Sequence, residues 1–338
     1  MSFRIRAATA SDLKALYEMA KLAGGGFTNL PADRKALLER LAKSDDAYAR
    51  SGGKSADDIF VIVLENVLTG EVRGTAQLFS QVGQTWPFYS YRLTSLTQHS
   101  KELQRTFRAE MLSLANDLEG SSEVGGLFIH PSERAAGHGL LLARSRYLFI
   151  AMHRDRFGDR IIAELRGIVD EKGNSPFWDG VAGRFFGMRF HEADYFNALN
   201  GNQFIADLMP KHPVYTAMLD DSARAVIGLP HPTGRAAMRM LEAEGFAYEG
   251  YVDIFDGGPT MTARTDQIVS IRNAFEANIV SVSAVESDHP VLIATGLLAA
   301  FRCCCGFVKK SHDGVDIDRE SAALLDLRAG DHAWVVDR

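Results

Sequence analysis

Arg134, Gly137, His138 and Gly139 stand together in Arg-Ala-Ala-Gly-His-Gly, between an apolar run (Leu127 to Ile129) and a long helical pattern. Glycines at a strand-to-helix turn let backbone N–H groups approach an anion, and the helix N-terminus adds roughly half a positive charge. The Gly-Lys-Ser/Thr of a Walker loop does not follow, and the GxGxxG dinucleotide fingerprint is absent. Two readings remain: a phosphate cradle of another kind, or a glycine-rich connection without a ligand. Upstream, alternation along a strand from Glu123 puts Glu123, Gly125, Leu127 and Ile129 on one face. Gly125 and Gly126 in its middle suit the close approach of a ligand backbone.

Other residues offer further chemistry. Glu164 and Arg166 are two apart in an apolar strand pattern and so share a face. Either they line a cleft, where Arg166 grips a carboxylate and Glu164 a guanidinium, or they form a structural pair. Gly24-Gly25-Gly26 exceeds what a helix stop requires. With Thr28 and Asn29 it reads as acyl- or amino-acid-binding, or else as a flexible connection. Lys211 is one more candidate for a carboxylate. The cysteines number 3 and are contiguous, Cys303 to Cys305. That spacing does not suit zinc, so no metal site is expected, and they read as strand residues in a reducing compartment.

Composition sets the bounds. With 338 residues, 46% hydrophobic and 24% charged, the chain is long enough for two domains with full cores. A net charge of −6 disfavours nucleic acid and leaves small molecules as partners. The apolar run from Val291 to Phe301 is too short to span a bilayer, and the first residues carry no secretory h-region. A cytoplasmic protein without membrane contact is expected. Patterning predicts a strand at Phe3 to Arg6, then a helix capped by Ser11 or Asp12, and a second helix over Asp33 to Lys43. A loop at 44–58 and a hairpin turning at Asn66 to Gly70 follow. Beyond "LFIH", a helix is expected over His138 to Arg156, a strand at "RIIAELRGIV", and a helix running into a strand over "SPFWDGVAGRFFGMRF". The last segment, with "LLDLRAGDHAWVV" as strand-turn-strand, reads as mostly β. The order describes a mixed α/β sheet, since the early strands are joined by a short turn.

The glycine turn with its preceding strand resembles motif A of the GNAT acyltransferase superfamily, which holds the pyrophosphate of coenzyme A. More specific phrases resemble the arginine N-succinyltransferase family: "GGGFTNLP", "HSKEL", "GSSE", "AELRGIVDE", "SPFWDGV", "RFFGM", "LMPKHPVYT", and "YVDIFDGGPT". The resemblance implies an α/β GNAT-like fold with a mixed central sheet. A coenzyme-binding domain over 1–189, a second GNAT-like unit over 190–273 and a small β-rich tail over 274–338 are expected. It implies transfer of succinyl from succinyl-CoA to the α-amino group of L-arginine, the first step of arginine catabolism by the succinyltransferase route. No cofactor is tightly bound; succinyl-CoA is a co-substrate. The family's succinyl-CoA contact falls on Leu127 and its proton donor on His231 of "GLPHPTG". Glu123 falls where GNAT enzymes place a general base, or is an exposed residue after a loop. The helix after His231 should depress its pKa, with Asp253 or Asp256 as an offset. A homo- or hetero-oligomer with a related subunit is expected. Ornithine as acceptor, or a silent coenzyme- or arginine-binding subunit, are the alternatives.

Overall fold

The structure, a computed structural model, describes the chain except residues 1, 24–28, 52–56, 201–202, 210 and 286. In chain order the strands are β1 (Phe3–Ala7), β2 (Ile59–Asn66), β3 (Glu71–Phe79), β4 (Ser90–Ser100), β5 (Arg105–Ala115), β6 (Ser122–Ile129), β7 (Arg160–Glu164) and β8 (Val214–Tyr215). Then come β9 (Ala247–Asp253), β10 (Pro259–Arg264), β11 (Phe275–Ser283), β12 (Val291–Thr295), β13 (Arg302–Gly306), β14 (Val308–Lys310), β15 (Val315–Asp318) and β16 (His332–Asp337). The helices that matter most for the site are α1 (Leu13–Ala23), α2 (Arg34–Ala49) and α3 (His138–Met152).

Two compact units emerge. The first gathers Met1–Ser80, Ser122–Asp159 and Arg264–Arg338; the second gathers Gln81–Ser121 and Arg160–Ala263. Neither follows a linear division at residues 189 and 273, because β6 and the C-terminal strands pair in the same unit as β1 to β3. In the first unit the strand order is β14-β15-β11-β16-β12-β13-β1-β2-β3-β6, antiparallel except for the β11–β15 pair. The second runs β7-β10-β9-β4-β5-β8. The apolar segment at Val291 enters β12, and among the described residues no helix is long and apolar enough to cross a membrane. The cysteines lie on β13, with Cys303 and Cys304 buried.

Tertiary contacts override several sequence expectations. The polar stretch read as a loop continues α2 to Ala49, because Leu37, Leu41, Ser44, Ala47 and Tyr48 recur at helical spacing and are buried. Ser44 Oγ accepts the Val61 N–H at 3.0 Å, and Tyr48 donates its hydroxyl to the Val61 carbonyl at 3.0 Å. The β4–β5 hairpin is unannounced in the sequence because its residues are largely exposed and lack apolar alternation. "SPFWDGVAGRFFGMRF" forms two short helices, Pro176–Gly180 and Gly183–Phe186, and no strand. Trp178 is fully buried there in the second unit's core with Phe177 and Phe255. In the tail, Arg319–Leu325 is a helix capped by Asp318, with Leu324 and Leu325 packed on the tail's own core.

α3 is the hub of the first unit. Its residues from Leu141 to Ile150 are all buried, so the helix is enclosed rather than striped. Even Arg144 is inside, donating to Ser270 Oγ and the Asp337 carbonyl, each at 2.8 Å. Phe149 packs edge-on to Tyr48, Phe157 and Phe301 and tilted against Phe60. Removing that ring leaves a cavity its neighbours cannot fill. Phe149→Ala is therefore expected to cost about 3–5 kcal/mol in denaturant unfolding, and a loss under about 1 kcal/mol would contradict the hub role.

Candidate active site

The glycine turn is built by a histidine cap. His130 precedes a 3-10 turn at Pro131–Ala136, and its Nδ1 accepts the Ser132 N–H at 3.3 Å. Gly137 then takes a left-handed φ of 75°, which starts α3 at His138. Arg134 donates its Nε to the Ile129 carbonyl at 3.4 Å, tying the turn to the end of β6. The His138 ring tilts against Phe3 at 4.1 Å, with Nδ1 3.6 Å from Glu133. Burial pushes this histidine below its ordinary value, with Glu133 opposing. Gly139 is different: a Cβ there would meet only Ile129, at 3.9 Å. Packing does not demand a glycine at 139, so its bare backbone leaves approach to the helix N-terminus open. Arg338 donates to the Gly137 carbonyl at 3.3 Å, and a cavity of about 640 Å³ lies beside this turn, lined by Phe3, His138, Cys305 and Phe307 among others.

β6 does not alternate as its sequence predicts. Gln77 of β3 pairs with Gly125 but Thr75 pairs with Phe128, so β6 carries an extra residue at Gly126 and Leu127. Gly126 has a φ of 57°. Glu123 and Gly125 therefore share a face with Phe128, which packs on α1 and α2 with Leu16 and Leu37. Ile129 faces α3 near Leu142 instead. The expected single face of Glu123, Gly125, Leu127 and Ile129 is thus broken by the bulge, and half-buried Leu127 sits at the break. The glycines answer to the protein: a Cβ on Gly125 would lie 2.6 Å from Asn29 Nδ2 and 2.8 Å from Glu123 Oε1.

Glu123 is buried at 7% exposure and accepts from Asn29 Nδ2 at 3.1 Å. Exposure after a loop is excluded. Asn29 ends the "GGGFTN" phrase, whose residues 24–28 lie outside the described ones. The Asn29 carbonyl accepts from Gln77 Nε2 and from Arg40 Nη1, which also donates to Gln77 Oε1 at 3.0 Å. Burial pushes the Arg40 guanidinium down to about 10, with the charge of Glu123 opposing. Sequence reasoning missed Arg40 and Gln77, since one sits mid-helix and the other mid-strand without a motif.

In the second unit, His231 repeats the cap of His130. It precedes a 3-10 turn at Pro232–Gly234; its Nδ1 lies 2.7 Å from Thr233 Oγ1 and accepts the Thr233 N–H at 3.3 Å. A backbone N–H on Nδ1 makes that nitrogen the acceptor, so neutral His231 carries its proton on Nε2. Its own N–H donates to the Arg166 carbonyl at 2.7 Å. Burial and then the Arg166 charge push His231 below its ordinary pKa. The depression matches expectation, but its causes are burial and Arg166, and neither Asp253 nor Asp256 offsets it.

Those aspartates build the platform beneath. Asp256 accepts the Gly167 and Gly258 N–H groups at 2.7 and 2.9 Å, and Asp253 accepts those of Phe255 and Asp256 at 2.7 and 2.9 Å. A Cβ on Gly258 would lie 2.0 Å from the Leu165 carbonyl, so "ELRG" and "DGG" dock backbone to backbone. Burial and the neighbouring Asp253 push Asp256 up to about 8; burial pushes Asp194 up to about 6. Glu164 closes β7 and lies 3.5 Å from the Thr260 hydroxyl, whereas Arg166 is beyond the strand. The strand ends between them, so strand alternation does not set the face of Arg166. Arg166 Nε is buried with no hydrogen-bond partner among the described residues. Lys211 is exposed.

Residues 3–270 match the profile described as arginine N-succinyltransferase beta subunit, and residues 276–337 match its C-terminal domain. Arginine N-succinyltransferase subunit beta of Pseudomonas aeruginosa is 40% identical over 328 residues, covering 96% of this chain and 95% of that protein. Arginine N-succinyltransferase of Enterobacter sp. is 39% identical over 333 residues, covering 98% and 96%. Among solved structures, arginine/ornithine succinyltransferase subunit AI from Pseudomonas aeruginosa superposes with a TM-score of 0.89 at 30% identity, covering 99% of this chain and 98% of that one. Similarity that spans both units and the tail leaves no separate domain to explain: the chain belongs to the arginine N-succinyltransferase family.

Proposed function

We propose that the chain transfers the succinyl group of succinyl-CoA to the α-amino group of L-arginine, releasing CoA and N-succinyl-L-arginine. The observation that carries this reading is the end-to-end match to arginine N-succinyltransferase subunit beta, 40% identical over 96% of the chain. The site residues supply suitable chemistry for it. Arg134, Gly137, His138 and Gly139 form the turn we assign to the coenzyme pyrophosphate, with the unencumbered backbone at Gly139 as the approach. Leu127, at the bulge, is the assigned contact for the coenzyme arm.

Amide formation requires the amine nitrogen to lose protons and the departing thiolate to gain one. We assign Glu123 to take up the first proton and His231 to give the second. The donor is the imidazolium form: its Nε2 proton passes to the departing sulfur, which leaves neutral imidazole, and solvent then returns a proton to Nε2. The Arg166 charge, by lowering the histidine's pKa, makes that imidazolium a stronger acid, and the unpartnered Arg166 Nε is assigned, with Glu164, to the acceptor amino acid. The attacking nitrogen and thioester must be held together, which is the task of the coenzyme and acceptor contacts.

Free-thiol release from succinyl-CoA with arginine, ornithine and lysine tests the reaction. Arginine is expected to be fastest; no release with any amine sinks the transferase reading, and faster release with ornithine reassigns the acceptor. His231→Ala should lower kcat about 100-fold or more, whereas His130→Ala, which loses the same cap, should lose only stability, about 0.5–2 kcal/mol. Equal kcat losses would make His231 a mere cap. The alkaline limb of kcat/KM, where the donor imidazolium is lost, should inflect below the unperturbed histidine value of about 6.5, and Arg166→Gln should move it upward. An unmoved inflection would separate Arg166 from His231. Gly139→Ala should fold normally yet weaken CoA binding in calorimetry; unchanged affinity would remove the turn from the coenzyme site.

A further inference from the structure

We propose that Arg40 recognises the free carboxylate at the end of the acyl chain and thereby selects a dicarboxylic acyl donor over a simple one. This deepens the transferase reading and rests on it. Arg40 comes from α2, and among the described residues only its Nη1 makes hydrogen bonds, to the Asn29 carbonyl and Gln77 Oε1. Both partners are neutral acceptors that aim the guanidinium without neutralising it. Nε and Nη2 remain as the edge of the planar fork, the geometry that binds a carboxylate bidentately. A half-buried cation is costly unless an anion meets it. Glu123 is the one acid whose charge it feels, and Glu123 Oε1 is already held by Asn29.

Position supports the same reading. Gln77 pairs with Gly125, and its side chain lies 3.0 Å from where a Cβ on Gly126 would be. Arg40 therefore belongs to the bulge on which Leu127, the assigned coenzyme contact, lies. An acetyl group offers nothing for a guanidinium there; a succinyl group offers a carboxylate. Its arrival also frees chemistry at Glu123. Once the incoming carboxylate neutralises Arg40, ionised Glu123 is less stabilised and takes a proton from the amine more readily. Donor binding and base strength become linked.

Calorimetric titration of the full chain with CoA, acetyl-CoA and succinyl-CoA tests this. The native protein should bind succinyl-CoA about tenfold more tightly than acetyl-CoA, the difference expected of one charged bidentate contact. Arg40→Met should bring that ratio close to one, and Arg40→Lys, which keeps charge but not the fork, should retain part of it. Comparable CoA affinity in all three proteins serves as the fold control, and Arg40→Lys carries the test if Arg40→Met does not fold. A ratio that survives in the variants, or is absent in the native protein, overturns the proposal while leaving the transferase reading intact. If Arg40→Met instead erases a preference for arginine over argininamide, the carboxylate belongs to the acceptor and the acyl-chain proposal fails. No CoA binding by the native protein would sink the transferase reading itself.

Discussion

One extra residue in β6 shapes the surroundings of Glu123. A regular strand would aim Ile129 to the same side as Glu123. The bulge at Gly126 and Leu127 reverses the alternation, so Phe128 joins the α1–α2 core while Ile129 turns to α3. Glu123 is thereby left in a polar pocket beside Asn29, Gln77 and Arg40. Gly125 and Gly126 are what this arrangement needs, the first for want of room and the second for its backbone angle. A side chain at Gly125 would press on the carboxylate and on Asn29.

The same economy appears in the two histidine caps. His130-Pro-Ser and His231-Pro-Thr each place an imidazole Nδ1 on the backbone N–H two residues later. At His130 the result is a turn that launches α3. At His231 the result is an imidazole with a defined tautomer, next to the Arg166 charge. The same local physics thus launches a helix in one unit and fixes an imidazole tautomer in the other. The C-terminal strands have a visible task too: they enclose α3, which then cannot shift the turn at its N-terminus.

Much of this was legible in the sequence, and the failures have physical causes. The glycine turn, the early strands and helices and the family phrases were readable because local propensity and tertiary demand agree there. The continuation of α2 through Ser44 and Tyr48 was not, because two hydroxyl contacts to Val61 outweigh a polar composition. The strand expected through Glu164 and Arg166 stops short because β7 ends at Glu164, beyond which Gly167 docks on Asp256. Arg40, Gln77 and Asp194 carried no motif at all. Their significance comes from neighbours distant in sequence, which periodicity cannot see.

The central claim is that succinyl is delivered to the α-nitrogen of arginine. Mass spectrometry of the product formed from succinyl-CoA and arginine, nitrogen-labelled at the α-amine, tests it most directly. The account predicts fragments in which the succinyl group stays with the labelled nitrogen. Succinyl on the guanidinium, or no acylated arginine, would contradict it.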